Sequence, residues 1–140
     1  MSSVDFVLDS RLQADTQHVA SLSLCEVLLM NDARFPWLIL VPRRAGCSEI
    51  LDLPEEMRSV LWHEINHVAA VFRGAVPCDK LNIGALGNIV RQLHVHVVAR
   101  QEGDAAWPGP VWGHGRAEPY KNDDAQSRIE RLRRKLNMSA

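Results

Sequence analysis

Long apolar runs are missing from this sequence. The longest, Trp37 to Val41, is far too short to cross a bilayer, so no membrane partner is expected. Excess charge is missing too. With 16 basic and 17 acidic side chains the formal net charge is −1, which gives no hint of a nucleic-acid surface. An anionic substrate must therefore be held locally, by a few well-placed donors. Cysteine is scarce: Cys25, Cys47 and Cys78 are odd in number, widely spaced and form no C-x-x-C, which reads as reduced thiols in the cytoplasm. The opening Met1-Ser-Ser-Val-Asp-Phe6 lacks the basic start and apolar stretch of a signal peptide. No internal repeat and no low-complexity stretch is visible.

What is present suits one domain. A chain of 140 residues, 46% hydrophobic and 24% charged, has an ordinary globular composition. At this length roughly 68–70% of the unfolded surface is buried on folding, so neither disulfides nor a structural metal is needed.

Leu24 to Met30 and Trp37 to Val41 are short apolar runs separated by Asn31-Asp-Ala-Arg-Phe-Pro36, a segment with turn chemistry. They predict an antiparallel hairpin-like pair, its second strand ended by Pro42. Phe6 to Leu12 is expected to add an edge strand. Asp52-Leu-Pro-Glu55 opens a helix, with Asp52 as cap, Pro54 in the first turn and Glu55 at capping-box spacing. Met57, Val60, Leu61, Ile65, Val68 and Phe72 make one apolar stripe at helical period, and Gly74 is the expected stop. Leu81 to Ala85 and Leu93 to Arg100 read as two more strands, joined through Leu86-Gly-Asn-Ile-Val-Arg91, where Gly87 lets backbone approach a ligand closely. Trp107-Pro-Gly-Pro-Val-Trp-Gly113 reads as a rigid loop at the pocket mouth or near a partner subunit. Residues 121–140 predict an amphipathic helix with Ala125, Ile129, Leu132 and Leu136 on one face. The charges Arg131, Arg133, Arg134 and Lys135 read as its solvated side.

The chemistry concentrates in Gln92-Leu-His-Val-His-Val-Val98. In a strand, alternate side chains share a face, so Gln92, His94, His96 and Val98 point one way while Leu93, Val95 and Val97 point to the core. Two histidines two apart, downstream of the Gly87-Asn88 turn, make a wall of nitrogen donors beside a rim that can bind an anion.

The region Asp79 to Arg100 resembles the signature of the histidine-triad superfamily, His-φ-His-φ-His-φ-φ with φ apolar, preceded by a Gly-Gln or similar turn. Gln92 stands at the first histidine position. The likeness extends back through the helix to Leu38-Ile-Leu-Val-Pro42 and covers roughly residues 20–100. It implies an α+β fold: an antiparallel sheet carrying one main helix, within a single domain over residues 1–120, followed by the helix or tail of 121–140. It also implies a homodimer that cleaves or transfers a nucleoside monophosphate group without a cofactor or metal. By resemblance His94 is the nucleophile that attacks the α-phosphorus, and His96 hydrogen-bonds phosphate oxygens. Asn88 is the turn amide, shorter than the usual Gln, facing the phosphate or the leaving-group oxygen, and Asn82 matches a phosphate-side Asn found in part of the family. Asn31 or Asp32 falls at the ribose position, while Ile89 stands where a hydroxyl residue is usual. Gln92 lacks the imidazole but still supplies the backbone carbonyl that holds the tautomer of His94. Dinucleoside polyphosphates, phosphoramidates, adenylylated amines and nucleotide sugars all present the same α-phosphate, so the leaving group stays open.

Two other readings remain. The same pocket can serve a nucleotide-binding module without turnover. His63-Glu-Ile-Asn-His67 also matches the H-E-x-x-H of zinc proteases letter for letter. Against zinc, no Glu follows His67 within some twenty residues to act as third ligand. Glu64 also falls in the apolar stripe, with His63 and His67 turned away from it.

Overall fold

Residues 5–139 are described by a computed structural model of the chain. The beginning of the N-terminal reading (Met1 to Val4) and the last residue of the 121–140 segment lie outside the described residues. In chain order the elements are α1 (Ser10–Asp15), β1 (Thr16–Ser21), β2 (Cys25–Met30), β3 (Trp37–Pro42), a 3-10 turn at Ile50–Asp52, α2 (Glu55–Ala75), β4 (Lys80–Gly84), β5 (Val95–Arg100) and α3 (Asp124–Ser139). The strands form one five-stranded antiparallel sheet in the order β1-β2-β3-β5-β4. The architecture is α+β, as expected.

Both faces of this sheet are covered, which is why β3 and β5 are buried along their whole length. On one face Val27 and Leu29 of β2, Leu38 and Leu40 of β3, and Val95 and Val97 of β5 meet Leu61, Ile65, Val68 and Phe72 of α2 and Ile129, Leu132 and Leu136 of α3. Each large side chain removed from water here contributes about 1.5–3 kcal/mol. On the other face Leu28, Trp37, Ile39, Val41 and Val98 pack under Leu12 of α1 and Val111 of the loop before α3. Val98 of β5 pairs with Trp37, and His96 with Ile39, so the histidine-bearing face is this second one.

Several boundaries differ from expectation for identifiable reasons. The predicted strand over Phe6 to Leu12 is absent; Asp9 caps α1 instead, its carboxylate accepting from the Arg11 amide at 2.8 Å. The edge strand is β1, a few residues later. Asp52 does not cap α2. Its carboxylate accepts from the Ser48 and Glu49 amides at 3.0 and 2.9 Å, closing the 3-10 turn, and Pro54 is the N-cap. Gly74 does not end the helix, which runs on to Ala75; Val76 is extended, as a residue before proline tends to be.

One buried charge fastens the loop behind β5. Arg100 is 1% exposed. Its Nε and Nη2 donate to Asp104 at 2.7 and 2.8 Å, Nη1 donates to Asn82 Oδ1 at 3.0 Å, and the guanidinium lies over the rings of Phe35 and Trp107. Trp107 thus belongs to this stack, while Trp112 goes elsewhere.

Candidate active site

A cavity of about 540 Å³ opens on the second face of the sheet, within the size range of small-molecule sites. β5 supplies His94 and His96 to it from just before and within the strand, and β3 supplies Trp37 and Ile39. The β4–β5 turn adds Leu86, Gly87, Asn88, Ile89 and Val90, α1 adds Arg11, Leu12 and Asp15, and Trp112 closes one side. Gly87 has φ +71°, the left-handed region that glycine tolerates without strain. Gly84 on β4 pairs with His96 and lies beside the Trp112 ring, which a Cβ there would meet at an ordinary van der Waals distance of 3.6 Å.

The imidazoles are held from behind. His94 is 7% exposed and its Nδ1 lies 2.7 Å from the carbonyl oxygen of Gln92. A carbonyl only accepts, so Nδ1 carries the proton and Nε2 keeps its lone pair on the cavity side. His96 is 6% exposed, and its Nδ1 accepts from Trp37 Nε1 at 3.0 Å. Its ring centre is 4.9 Å from that of His94 and 5.4 Å from that of Trp112. Burial first, then the neighbouring His94, push the pKa of His96 down to about 3.

Four of the expected site residues line this cavity: Gly87, Asn88, His94 and His96. Gln92 supplies its carbonyl as expected, but its side chain does not enter the cavity. Oε1 accepts from the Asp9 amide and Nε2 donates to the Val7 carbonyl, both at 2.9 Å, so the amide clips the N-terminal segment to the stretch leading into β5.

Three expected substrate contacts are engaged elsewhere. Asn82 Oδ1 is taken by Arg100. Asn31 Oδ1 accepts from the Tyr120 amide at 3.0 Å. Asp32 is bridged to Arg34 at 2.8 Å and accepts from the Glu118 amide. Burial opposes the Asp32 carboxylate, but the hydrogen bonds from Arg34 and from the backbone outweigh it and hold its pKa below the usual value. These groups fasten the 114–120 segment and the loop after β5. Each has a partner so well matched that leaving it for a ligand would cost a hydrogen bond already made.

Sequence reasoning missed Trp37, Trp112 as a wall in contact with His96, and the α1 wall. β3 is apolar on both faces, so its pattern gave no signal for Trp37; Asp9 at capping spacing was the available signal for α1.

The H-E-x-x-H match dissolves in the structure. Glu64 is buried, its two oxygens accepting from the Leu24 and Cys25 amides at 3.0 and 2.9 Å, while His63 is exposed on the outer side of α2. The carboxylate is a buried peg for the turn between β1 and β2. Among the described residues no three His, Cys, Asp or Glu side chains gather in a way that could hold a metal.

Comparison with known proteins gives the family and the fold. The HIT domain family model matches residues 11–103. A histidine-triad protein from Sinorhizobium meliloti 1021 is 49% identical over 96% of this chain and 99% of its own, with a TM-score of 0.93. One from Bradyrhizobium japonicum is 48% identical over 94% of this chain and 98% of its own, TM-score 0.91. One from Marinobacter aquaeolei VT8 is 44% identical over 96% and 98%, TM-score 0.92. No curated protein matches the chain. The chain belongs to the HIT domain family, whose members are generally nucleotide-binding hydrolases or transferases.

Proposed function

We propose that the chain is a nucleotide hydrolase or nucleotidyl transferase that attacks the α-phosphate of a nucleoside polyphosphate, dinucleoside polyphosphates among the candidates, through a covalent nucleotidyl-His94 intermediate. The observation that carries this reading is the 2.7 Å contact between His94 Nδ1 and the Gln92 carbonyl, which leaves Nε2 free to attack. His96 Nε2–H and the Asn88 amide, at the cavity wall and rim, are suited to the non-bridging phosphate oxygens, where charge stabilisation is usually the largest contribution. Leu12, Met30, Trp37 and Ile39 offer an apolar surface for the base. A rapid-quench incubation with an adenosine polyphosphate should trap adenylate on His94, found by peptide mass spectrometry. The same adduct should form in chelator and after joint replacement of His63 and His67 by Gln. Reversible nucleotide binding with no adduct at any time would leave only a binding module.

The functional unit we propose is a homodimer formed across β4. That edge is open, with Ile83, Leu86 and Ile89 exposed on and beside it. The opposite edge is blunted: β1 has an irregularity at Val19, and Arg133 of α3 donates to the Val19 carbonyl at 2.7 Å. Light scattering at micromolar protein should give twice the chain mass, and a clean monomer would end this part of the proposal. A cytoplasmic setting fits the free cysteines; no described helix is long and apolar enough to cross a membrane.

A further inference from the structure

The two imidazoles carry their protons on opposite nitrogens. An indole N–H can donate and cannot accept. The 3.0 Å contact from Trp37 therefore leaves a lone pair on His96 Nδ1 and puts the single proton on Nε2. A second proton, on Nδ1, would set N–H against N–H inside a packed aromatic cluster formed by Trp37, His94 and Trp112. His96 is thereby fixed as a neutral hydrogen-bond donor. Giving that proton away would leave an imidazolate, so the ring can bind an oxyanion but cannot serve as a general acid. The first triad position offers no acid either, since the Gln92 amide is bound to Val7 and Asp9. Among the described residues the other titratable groups on the cavity wall are Arg11, which does not release its proton, and Asp15, exposed at the rim on α1.

We infer that this pocket acts on substrates whose leaving group departs as a stable anion without taking a proton from the protein: phosphoanhydrides such as nucleoside polyphosphates, and not nucleoside phosphoramidates, whose amine must be protonated to leave. The inference rests on the nucleotidyl-His94 reading above. In the first step the Nε2 lone pair forms an N–P bond as the bond from the α-phosphorus to the bridging oxygen breaks. That oxygen keeps the electron pair and departs as a phosphate or polyphosphate anion. The proton on His94 Nδ1 stays against the Gln92 carbonyl, so the adduct carries a cationic imidazole. Water then attacks phosphorus, the N–P electron pair returns to Nε2, and one proton passes to solvent.

The test compares kcat/KM of the full chain for diadenosine tetraphosphate, adenosine 5′-(p-nitrophenyl phosphate), adenosine 5′-(phenyl phosphate) and adenosine 5′-phosphoramidate. Turnover should fall steeply as the leaving group becomes a poorer anion. The phosphoramidate should be slower than the tetraphosphate by about 10²-fold or more, the usual contribution of a missing general acid. Nitrogen NMR of the imidazoles should show His96 with bare Nδ1 and protonated Nε2 throughout pH 5 to 8. In Trp37→Phe that signature should be lost, and phosphoramidate turnover should rise relative to the tetraphosphate. Equal kcat/KM across the panel, with adenylate still trapped on His94, would overturn this inference and leave the parent reading standing. A mixed or reversed His96 tautomer in the wild-type chain would overturn it as well. So would a loss confined to the phosphoramidate in Asp15→Asn, which would make Asp15 the proton donor. Absence of turnover for every member would fell the parent reading and this inference together.

Discussion

His94→Ala should fold like the parent chain and lose nucleotide turnover by several orders of magnitude, as removal of a covalent nucleophile does. The ring lies against the cavity on the face away from α2, so its removal enlarges a space already open to solvent and takes nothing from the packing beneath that helix. Melting temperature and kcat measured on the same preparation check both halves. Wild-type turnover in the variant would end the account of a histidine nucleophile. His96→Ala should cost less, on the order of 2.7–4 kcal/mol of transition-state stabilisation, the range of a lost oxyanion donor.

Asp104→Ala should have the largest effect on stability, about 3–5 kcal/mol, because it strands the buried Arg100 guanidinium without its carboxylate. The remaining partners are Asn82 and two ring faces, and none of them is charged. The same pair gives a pH dependence. Hydrogen bonding from Arg100 lowers the Asp104 pKa from 3.8 to about 2. The stabilisation it brings is complete above the unfolded value and disappears as pH falls through the folded one. Urea midpoints measured between pH 5 and pH 2 should drop for the parent chain, with a shallower drop for Asp104→Ala. Parallel curves for the two chains would show that the pair contributes nothing to acid stability.

Most of this architecture was legible from periodicity. The stripe of α2 and the His-Val-His-Val alternation of β5 each state which side faces the core, and the structure agrees on both. β1 was not legible, because its irregularity at Val19 buries the successive residues Val19 and Ala20 and destroys the period of two. Trp37 was hidden for the opposite reason: β3 is apolar on both faces, so its pattern cannot say which residues look into the cavity. The intramolecular partners of Asn31, Asp32 and Asn82 were not legible, because a polar residue near the right turn reads the same in sequence whether it awaits a ligand or already has a partner. Only the fold brings Tyr120, Arg34 and Arg100 within reach of them.

The placement of His96 on a core strand, with His94 just before it, has one more consequence. A slip of β5 by a single residue would turn Val95 and Val97 out to the cavity and drive both imidazoles under α2, where they would find no polar partner. The chain thus carries its own proofreading: the interactions that reject a misaligned sheet also reject a cavity without its histidines. A molecule packed well enough to resist proteases and aggregation is, by that fact, one whose His94 already faces the cavity.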